Sequence, residues 1–257
     1  VAPHVRFAYL GSGSKGNAAL IEAGSTTLML DCGFSVSSVE SRLARRDRSP
    51  ADVDGLVVTH EHADHIGGVA RFARRHRVPV WMTPGTWAVA RDRDIPDLRL
   101  FSCHETFSIG DLELEPMPVP HDAREPCQFV FGDGARRLGI LTDTGHVTPH
   151  ISARLRTCDA LVVECNHDVD MLLEGPYPMR LKERVRGQLG HLNNGQAGAL
   201  AAGVDATRLQ HVVAVHISEV NNTPGLARTA LAKGLGCDES DIGLAAQDEG
   251  LDWHTLS

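Results

Sequence analysis

A run of ionisable side chains directly follows an apolar segment in VVTHEHADHIGG, residues 57–68. Four of them have the spacing His-x-His-x-Asp-His, at His60, His62, Asp64 and His65. Alternate residues of an extended segment point the same way, so His60 and His62 project together before the chain turns. Imidazole nitrogens and carboxylate oxygens are donors that zinc and other divalent first-row metals prefer. The segment predicts a metal site, with a solvated polar loop as the alternative.

Other parts of the chain must contribute to such a site, because one metal needs at least three protein ligands. Three polar residues, His121, Asp143 and His216, each stand near the end of an apolar segment. Taken singly, each is equally well explained as a capping or otherwise hydrogen-bonded residue. Taken together with the His-x-His-x-Asp-His segment, they complete two coordination shells and therefore predict two metals.

Hydrophobic patterns indicate the elements that must position these residues. Strands are predicted at 5–10, 18–22, 27–31, 56–59, 79–82, 98–101, 112–116, 128–131, 138–142, 160–164, 211–216 and 242–245. Helices are predicted at 35–41, 65–76, 195–202 and 224–233. Strands that come first and are then mixed with helices favour two sheets packed face to face with helices outside. The length of 257 residues suits one large domain or two small ones.

Two glycine-rich segments are predicted to be turns. GSGSKGN at 11–17 lies between two strands, and its lysine comes too early for a phosphate-binding P-loop. A tight turn explains it better, although its small residues could also let a phosphate approach the metals. The segment 132–134 is predicted to close a hairpin.

Composition limits the function classes. The formal net charge of −8 argues against a generally basic nucleic-acid-binding protein, although a local basic patch is compatible with it. The six cysteines form no Cys-x-x-Cys pair, which favours a reduced cytoplasmic protein over a disulfide framework. The absence of a signal sequence and of a long apolar segment predicts no membrane association.

Two basic tracts occupy residues 71–77 (RFARRHR) and 180–186 (RLKERVR). Both are predicted to be solvated helix faces. The second could also lead a nucleic-acid backbone toward the metals.

These motifs resemble the metallo-β-lactamase superfamily. The resemblance includes Asp31 in LMLDCG, THEHADH at 59–65, His121, TDTG at 142–145 and His216. It implies an α+β fold, a four-layer αββα sandwich forming a single domain over 1–257, with a two-metal site at one edge of the sheets. It also implies the ligand set, in which one metal is held by His60, His62 and His121, the other by Asp64, His65 and His216, and both by Asp143. Asp31 would lie beneath the site and orient ligands.

A longer set of motifs is similar to the YycJ-like (WalJ-like) bacterial proteins, a branch related to tRNase Z and the PhnP-type phosphodiesterases. The shared motifs are LGSGSKGN, ECNHD, MLLEGPYPMRLKERV, GHLNN and HISEVNNTP. Such proteins are regarded as metal-dependent nucleases or phosphodiesterases, with 5′-exonuclease activity on DNA proposed for the group. Asn193 departs from this pattern, since we expect serine there.

A Glu–His pair of the tRNase Z branch matches Glu164 and His191. The resemblance implies that His191 is a general acid for the leaving oxygen and that Glu164 orients it. The alternative is that His191 merely caps a helix that starts near Asn193.

The expected activity is therefore metal-dependent phosphodiester hydrolysis, most closely that of a 5′-exonuclease-like nuclease, by a hydroxide that bridges two metals. Asp64 would both bind metal and accept the proton of that water. Zinc is the expected metal, and manganese or iron also fit. The expected partner is nucleic acid or another phosphodiester. The alternatives are a small-molecule cyclic phosphodiesterase, a thioester or lactone hydrolase, which would need no leaving-group acid, and a non-catalytic metal-binding scaffold.

Overall fold

The computed structural model describes residues 4–257. Within this range the chain forms fourteen strands: β1 (Arg6–Gly11), β2 (Ala18–Ala23), β3 (Thr26–Leu30), β4 (Gly55–Val57), β5 (Val80–Met82), β6 (Leu98–Leu100), β7 (Phe107–Ile109), β8 (Leu112–Pro118), β9 (Cys127–Gly132), β10 (Arg137–Leu141), β11 (Ala160–Glu164), β12 (His211–Val215), β13 (Ile242–Leu244) and β14 (Leu251–Thr255). It forms nine α-helices: α1 (Val36–Ala44), α2 (Ala63–Ile66), α3 (Val69–His76), α4 (Pro84–Val89), α5 (Pro149–Leu155), α6 (Val169–Glu174), α7 (Met179–Val185), α8 (Asn194–Ala201) and α9 (Pro224–Leu235).

The strands form two seven-stranded mixed sheets of similar design. The first sheet has the order β14-β1-β2-β3-β4-β5-β6, and the second has the order β13-β12-β11-β10-β9-β8-β7. In the first sheet the pairings from β14 to β3 are antiparallel and those from β3 to β6 are parallel. In the second sheet the pairings from β7 to β10 are antiparallel and those from β10 to β13 are parallel.

Three apolar layers hold the sandwich together. Alternate residues of one strand point to opposite faces, so Ile21 of β2 joins a core between the sheets while its neighbour Leu20 joins a core under α1 and α3. A third core lies between the second sheet and the helices α5, α8 and α9. Strands covered on both faces are largely apolar, as β11 is up to its last residue, Glu164. The predicted αββα sandwich is confirmed.

Side-chain caps determine where several helices begin. The hydroxyl of Ser35 accepts from the backbone N–H of Ser38 at the start of α1, and Thr223 caps α9 ahead of Pro224. Asn193 caps α8 by accepting from the N–H of Gln196. Because asparagine and serine are both competent caps, the departure at Asn193 leaves this helix start intact.

The prediction of a single helix at 65–76 is wrong. The chain forms α2 and α3 instead, separated at Gly67 and Gly68. The backbone of Gly68 packs directly on the preceding loop, where its N–H donates to the carbonyl of Cys32 (2.7 Å). A Cβ on Gly68 would lie 2.0 Å from the carbonyl oxygen of Phe34. This close approach bends the chain between the two helices.

Both predicted turns are confirmed. The segment 132–134 begins the turn between the antiparallel strands β9, which ends at Gly132, and β10, which begins at Arg137. In the loop 11–17, the Asn17 side chain accepts from the N–H of Gly13 (2.9 Å) and donates to its carbonyl (3.0 Å). These two bonds close the loop on itself.

All six cysteines are free, and five of them are buried, with Cys237 exposed. None of the helices between residues 4 and 257 is both long and apolar enough to cross a bilayer. The tract at 180–186 is only partly the solvated face that was predicted, because Lys182 is buried and its ammonium donates to the carbonyl of Leu173 (2.6 Å).

Candidate metal centre

The polar residues singled out from the sequence follow the carboxyl ends of neighbouring parallel strands. Asp31 follows β3 and the histidine-rich segment follows β4, while Asp143 and His216 follow β10 and β12. Glu164 is the last residue of β11. Since parallel neighbours end at the same edge, and the two sheets are packed face to face, these side chains meet at one edge of the sandwich.

The first cluster consists of His60, His62 and His121, whose ligand atoms all lie within 4.8 Å of one another. Nε2 of His121 is 3.2 Å from Nδ1 of His62. His60 is buried, and its Nε2 atom has no hydrogen-bond partner. Burial lowers the pKa of both His60 and His121, which keeps these rings neutral and their nitrogens available as ligands.

The second cluster consists of Asp64, His65 and His216. Nε2 of His65 lies 3.4 Å from Oδ2 of Asp64, and Nε2 of His216 lies 3.7 Å from the same oxygen. Burial lowers the pKa of His65, but the carboxylates of Asp143 and Asp31 outweigh it and hold this pKa well above its ordinary value. This cluster therefore differs from the first in being rich in carboxylate.

Asp143 stands between the two clusters. Its carboxylate oxygens lie 3.2 Å from Nε2 of His65, 3.3 Å from Nδ1 of His216 and 3.9 Å from Nε2 of His121. Its Oδ2 atom is buried without a hydrogen-bond donor. Burial raises the pKa of Asp143, but His216 and His65 hold it well below its ordinary value, so this residue is an anion that touches both clusters.

Three residues of the site have left-handed backbone conformations. The φ angles are +59° for Asp31, +52° for Asp143 and +52° for His216. Aspartate and histidine visit this region more often than most residues, but each instance still costs about 1–2 kcal/mol. The strain falls at the strand ends where side chains must turn toward the site, and such placement is typical of functional positions.

Asp31 supports the histidine-rich segment from beneath. Its carboxylate accepts from the backbone N–H of Thr59 (2.9 Å) and its hydroxyl (2.9 Å), and it lies 2.7 Å from Nδ1 of His65. These contacts orient His65 with its Nε2 atom toward Asp64 and Asp143.

Glu164 and His191 form a close pair beside the clusters, with Oε1 and Nδ1 2.8 Å apart. Glu164 is fully buried and also contacts Nδ1 of His216 (2.9 Å). Burial raises the pKa of Glu164, but His191 and His216 lower it to about 2. Burial lowers the pKa of His191, and Glu164 raises it above the ordinary value. The cap of α8 is Asn193, so the alternative role of His191 as a helix cap does not apply.

Three residues beside the clusters were not identified from the sequence. Nδ2 of Asn17 lies 3.2 Å from Nε2 of His65, so the glycine-rich loop touches the site. Asp122 lies 3.6 Å from Nε2 of His121, and its other oxygen accepts from Nε of Arg184 (2.6 Å). Asp122 directly follows a predicted ligand, and Arg184 belongs to the second basic tract, but only the fold brings these two together.

The donor set fits two divalent cations. His60 Nε2, Asp143 Oδ2 and His216 Nε2 are buried ligand atoms with no hydrogen-bond partner, an arrangement that costs free energy unless a cation binds them. They lie in overlapping groups that share His60, His65, Asp143 and His216. Neutral imidazoles together with carboxylates are the ligands of first-row divalent metals.

Comparisons with known proteins agree with this geometry. Residues 26–217 match the family model described as the Beta-lactamase superfamily domain. The chain is 34% identical to exodeoxyribonuclease YycJ of Bacillus anthracis, covering 92% of this chain and 93% of the relative. It is 31% identical to exodeoxyribonuclease WalJ of Streptococcus pneumoniae, covering 93% and 90%.

The fold also resembles that of solved structures. The metallo-β-lactamase fold protein YhfI from Bacillus subtilis superposes with a TM-score of 0.74 at 15% identity, covering 98% of this chain and 99% of that one. By its motifs, its site and its fold, this chain belongs to the metallo-β-lactamase superfamily.

Proposed function

We propose that this protein is a metal-dependent phosphodiester hydrolase that acts on DNA as a 5′-exonuclease-like nuclease. The observation that carries the proposal is the buried Glu164–His191 pair beside two adjoining groups of metal-ligating side chains. The similarity over most of the chain to two proteins named exodeoxyribonucleases supports DNA as the substrate. A thioester or lactone hydrolase needs no acid for its leaving group, so this pair argues against that alternative.

The proposed ligands divide between two cations: His60, His62 and His121 for one, Asp64, His65 and His216 for the other, and Asp143 for both. We propose zinc, which suits three imidazoles. The carboxylate-rich second set also suits manganese or iron. Two divalent cations held there would lower the pKa of a bound water and neutralise charge on the phosphate oxygens.

Asp64 is the proposed acceptor for the proton of the attacking water. Burial raises the pKa of Asp64, but the nearby imidazoles of His216 and His65 outweigh burial and hold this pKa below its ordinary value. The carboxylate is therefore ionised at neutral pH. It lines the cavity that also contains Asp143 and His191, where a phosphodiester would sit.

His191 is the proposed proton donor to the leaving oxygen. Its Nδ1 faces Glu164, which leaves Nε2 as the donating atom, and the ring lines the same cavity. Glu164 raises the pKa of His191 and so favours its protonated form, and a general acid of this kind contributes about 10²–10⁴-fold to the rate. Glu164 orients the ring and stabilises its charge.

The organisation and location of the protein belong to the same proposal. We expect residues 1–257 to act as one domain in a reducing cytoplasm, which is in keeping with six free cysteines.

The test is a digest of 5′-labelled and 3′-labelled DNA strands by the metal-loaded chain, with RNA and cyclic nucleotides as competing substrates. Release of label from the 5′ end of DNA supports the proposal. Cleavage of cyclic nucleotides alone, or bound metal with no phosphodiester hydrolysed, contradicts it.

A further inference from the structure

A second cavity, of about 570 Å³, adjoins the metal centre. Its lining residues run from the histidine-rich segment across α2 and α3 to the segment that follows α4. His62 and Ala63 also line the metal cavity, so the two cavities share this stretch of wall. A ligand centred on the metals can therefore continue into the second cavity without leaving the surface.

Two arginines in the lining, Arg71 and Arg91, are exposed and form no ion pair within residues 4–257. Their neighbour Arg74 differs, because it is paired with Asp92 (2.9 Å). That pair neutralises Asp92, which also lines the cavity. Arg74 also lies 3.5 Å from Asp94, and Glu61, the other lining carboxylate, has no cationic partner within residues 4–257. The formal charges of the lining therefore balance, but within that range the guanidinium groups of Arg71 and Arg91 are not in ion pairs and can bind phosphate.

The rest of the lining is largely apolar. It includes Ile66, Ala70, Val89 and Ile95, and Val89 has 43% of its surface exposed. Cations beside an apolar surface match a nucleotide strand, whose phosphates are charged and whose sugars and bases present carbon-rich faces. A cavity of this volume lies within the range of sites that bind ligands of about nucleotide size.

Arg184 lines the metal cavity but is already paired with Asp122, so it does not offer an unpaired guanidinium group there. Arg71 and Arg91 of the second cavity have no such partner in the described part of the chain, and they lie one cavity away from the proposed cleaved bond. A cyclic mononucleotide would have no group to place there, whereas a polynucleotide would.

We propose that the second cavity binds the nucleotides adjacent to the scissile phosphate of a single polynucleotide strand, with Arg71 and Arg91 on its backbone phosphates and the Val89–Ile95 surface against its sugars and bases. The inference rests on the proposed nuclease function and sharpens it, since it makes substrate length a determinant of affinity.

The experiment compares wild type with the double variant Arg71→Ala/Arg91→Ala on two substrates, a single-stranded DNA oligonucleotide and bis(p-nitrophenyl) phosphate. Arg45→Ala is the matched control, because Arg45 is an exposed arginine of the α1 C-terminus outside both cavities. We expect KM for the oligonucleotide to rise about tenfold or more in the double variant and to stay unchanged in the control. Bis(p-nitrophenyl) phosphate cannot reach the second cavity. Its KM should therefore rise by a factor at least about tenfold smaller than the factor for the oligonucleotide.

Salt dependence supplies a second readout that a structural defect would not reproduce. Each contact with a single-strand phosphate contributes about 0.7 to the slope of log affinity against log salt, so losing two contacts should lower the slope by about 1.4. Unchanged thermal unfolding of the double variant would show that the fold is intact. If wild type leaves the oligonucleotide uncut, the proposed function itself is contradicted. If wild type cuts it and both KM and the salt slope survive the double substitution, only the role of the second cavity is overturned.

Discussion

The two halves of the metal centre are assembled in different ways. One half, which we call the β4 half, follows β4 and takes four side chains from six consecutive residues: His60, His62, Asp64 and His65. The other half, which we call the β10–β12 half, takes its side chains from three separate strand ends: Asp143, Glu164 and His216. Local chain geometry positions the β4 half, whereas only the parallel register of β10, β11 and β12 positions the β10–β12 half.

A buried carboxylate lies beneath each half, and the two differ in what they contact. Asp31 contacts Thr59 and one proposed ligand, His65. Glu164 contacts the proposed ligand His216 and also His191, the proposed proton donor. The β4 half is therefore expected to hold metal and, through Asp64, to accept the proton of the attacking water. The β10–β12 half is expected to combine holding metal with protonation of the leaving oxygen through His191.

The largest effect is expected from Asp143→Ala, because Asp143 belongs to the β10–β12 half but also contacts His65 of the β4 half and His121. Losing this carboxylate, which is the proposed ligand of both cations, should release both metals and abolish hydrolysis. Elemental analysis of the purified variant, together with a DNA digest, checks this. A variant that keeps both metals and its activity would mean that Asp143 does not join the two halves.

His191→Ala should lower the rate on DNA by about 10²–10⁴-fold while metal content stays at the wild-type level. A p-nitrophenyl leaving group needs little protonation, so its release should be much less affected. His150→Ala is the control, since His150 is an exposed histidine at the start of α5. An unchanged rate on DNA would remove proton transfer from the β10–β12 half.

The matched pair Asp31→Asn and Glu164→Gln compares the two buried carboxylates directly. Each substitution should weaken metal binding by about 10–100-fold, as is usual for carboxylates that orient ligands. At saturating metal, Asp31→Asn should recover its activity and Glu164→Gln should not, because the latter also loses the partner of His191. Metal titrations with rates measured at each concentration give both quantities. Equal recovery by the two variants would contradict the difference between the halves.

The smallest effect concerns stability at acid pH. His167, behind the β10–β12 half, is almost fully buried, and burial lowers its pKa to about 4. The unfolded chain, with an ordinary pKa of about 6.5, binds the proton first as the pH falls. The free energy of unfolding should therefore decline between about pH 6.5 and 4, by up to about 3 kcal/mol from this residue.

His167→Gln should remove this part of the decline, which urea unfolding at several pH values can measure. The free energy of unfolding of wild type and variant should then converge as the pH falls toward 4. Parallel pH profiles of the two proteins would show that the burial of His167 has no part in acid sensitivity.

The difference between the halves also explains what could be predicted from the sequence. The His-x-His-x-Asp-His spacing is a local signal that an isolated segment carries. Asp143 and His216 were singled out only because each follows an apolar strand, and the division of the ligands between two metals depended on a family resemblance. The strand and helix patterns predicted the sandwich because the inner strands of both sheets, such as β2, β3, β9, β10 and β12, are largely apolar and lie between polar loops.

Features that depend on contacts distant in sequence were not predictable. The break between α2 and α3 results from the close approach of Gly68 to Phe34, which no local pattern reveals. The pairing of Asp122 with Arg184 joins residues far apart in the chain. Helix periodicity identified 71–77 as a basic face but did not indicate that Arg74 is paired and Arg71 is not.

The most direct test of the central claim is anomalous diffraction from crystals of the metal-loaded protein. We expect two peaks about 3.5–4 Å apart, one contacted by His60, His62 and His121 and the other by Asp64, His65 and His216, with Asp143 touching both. A single ion, or two ions that have no shared carboxylate, would contradict the claim that the halves form one centre.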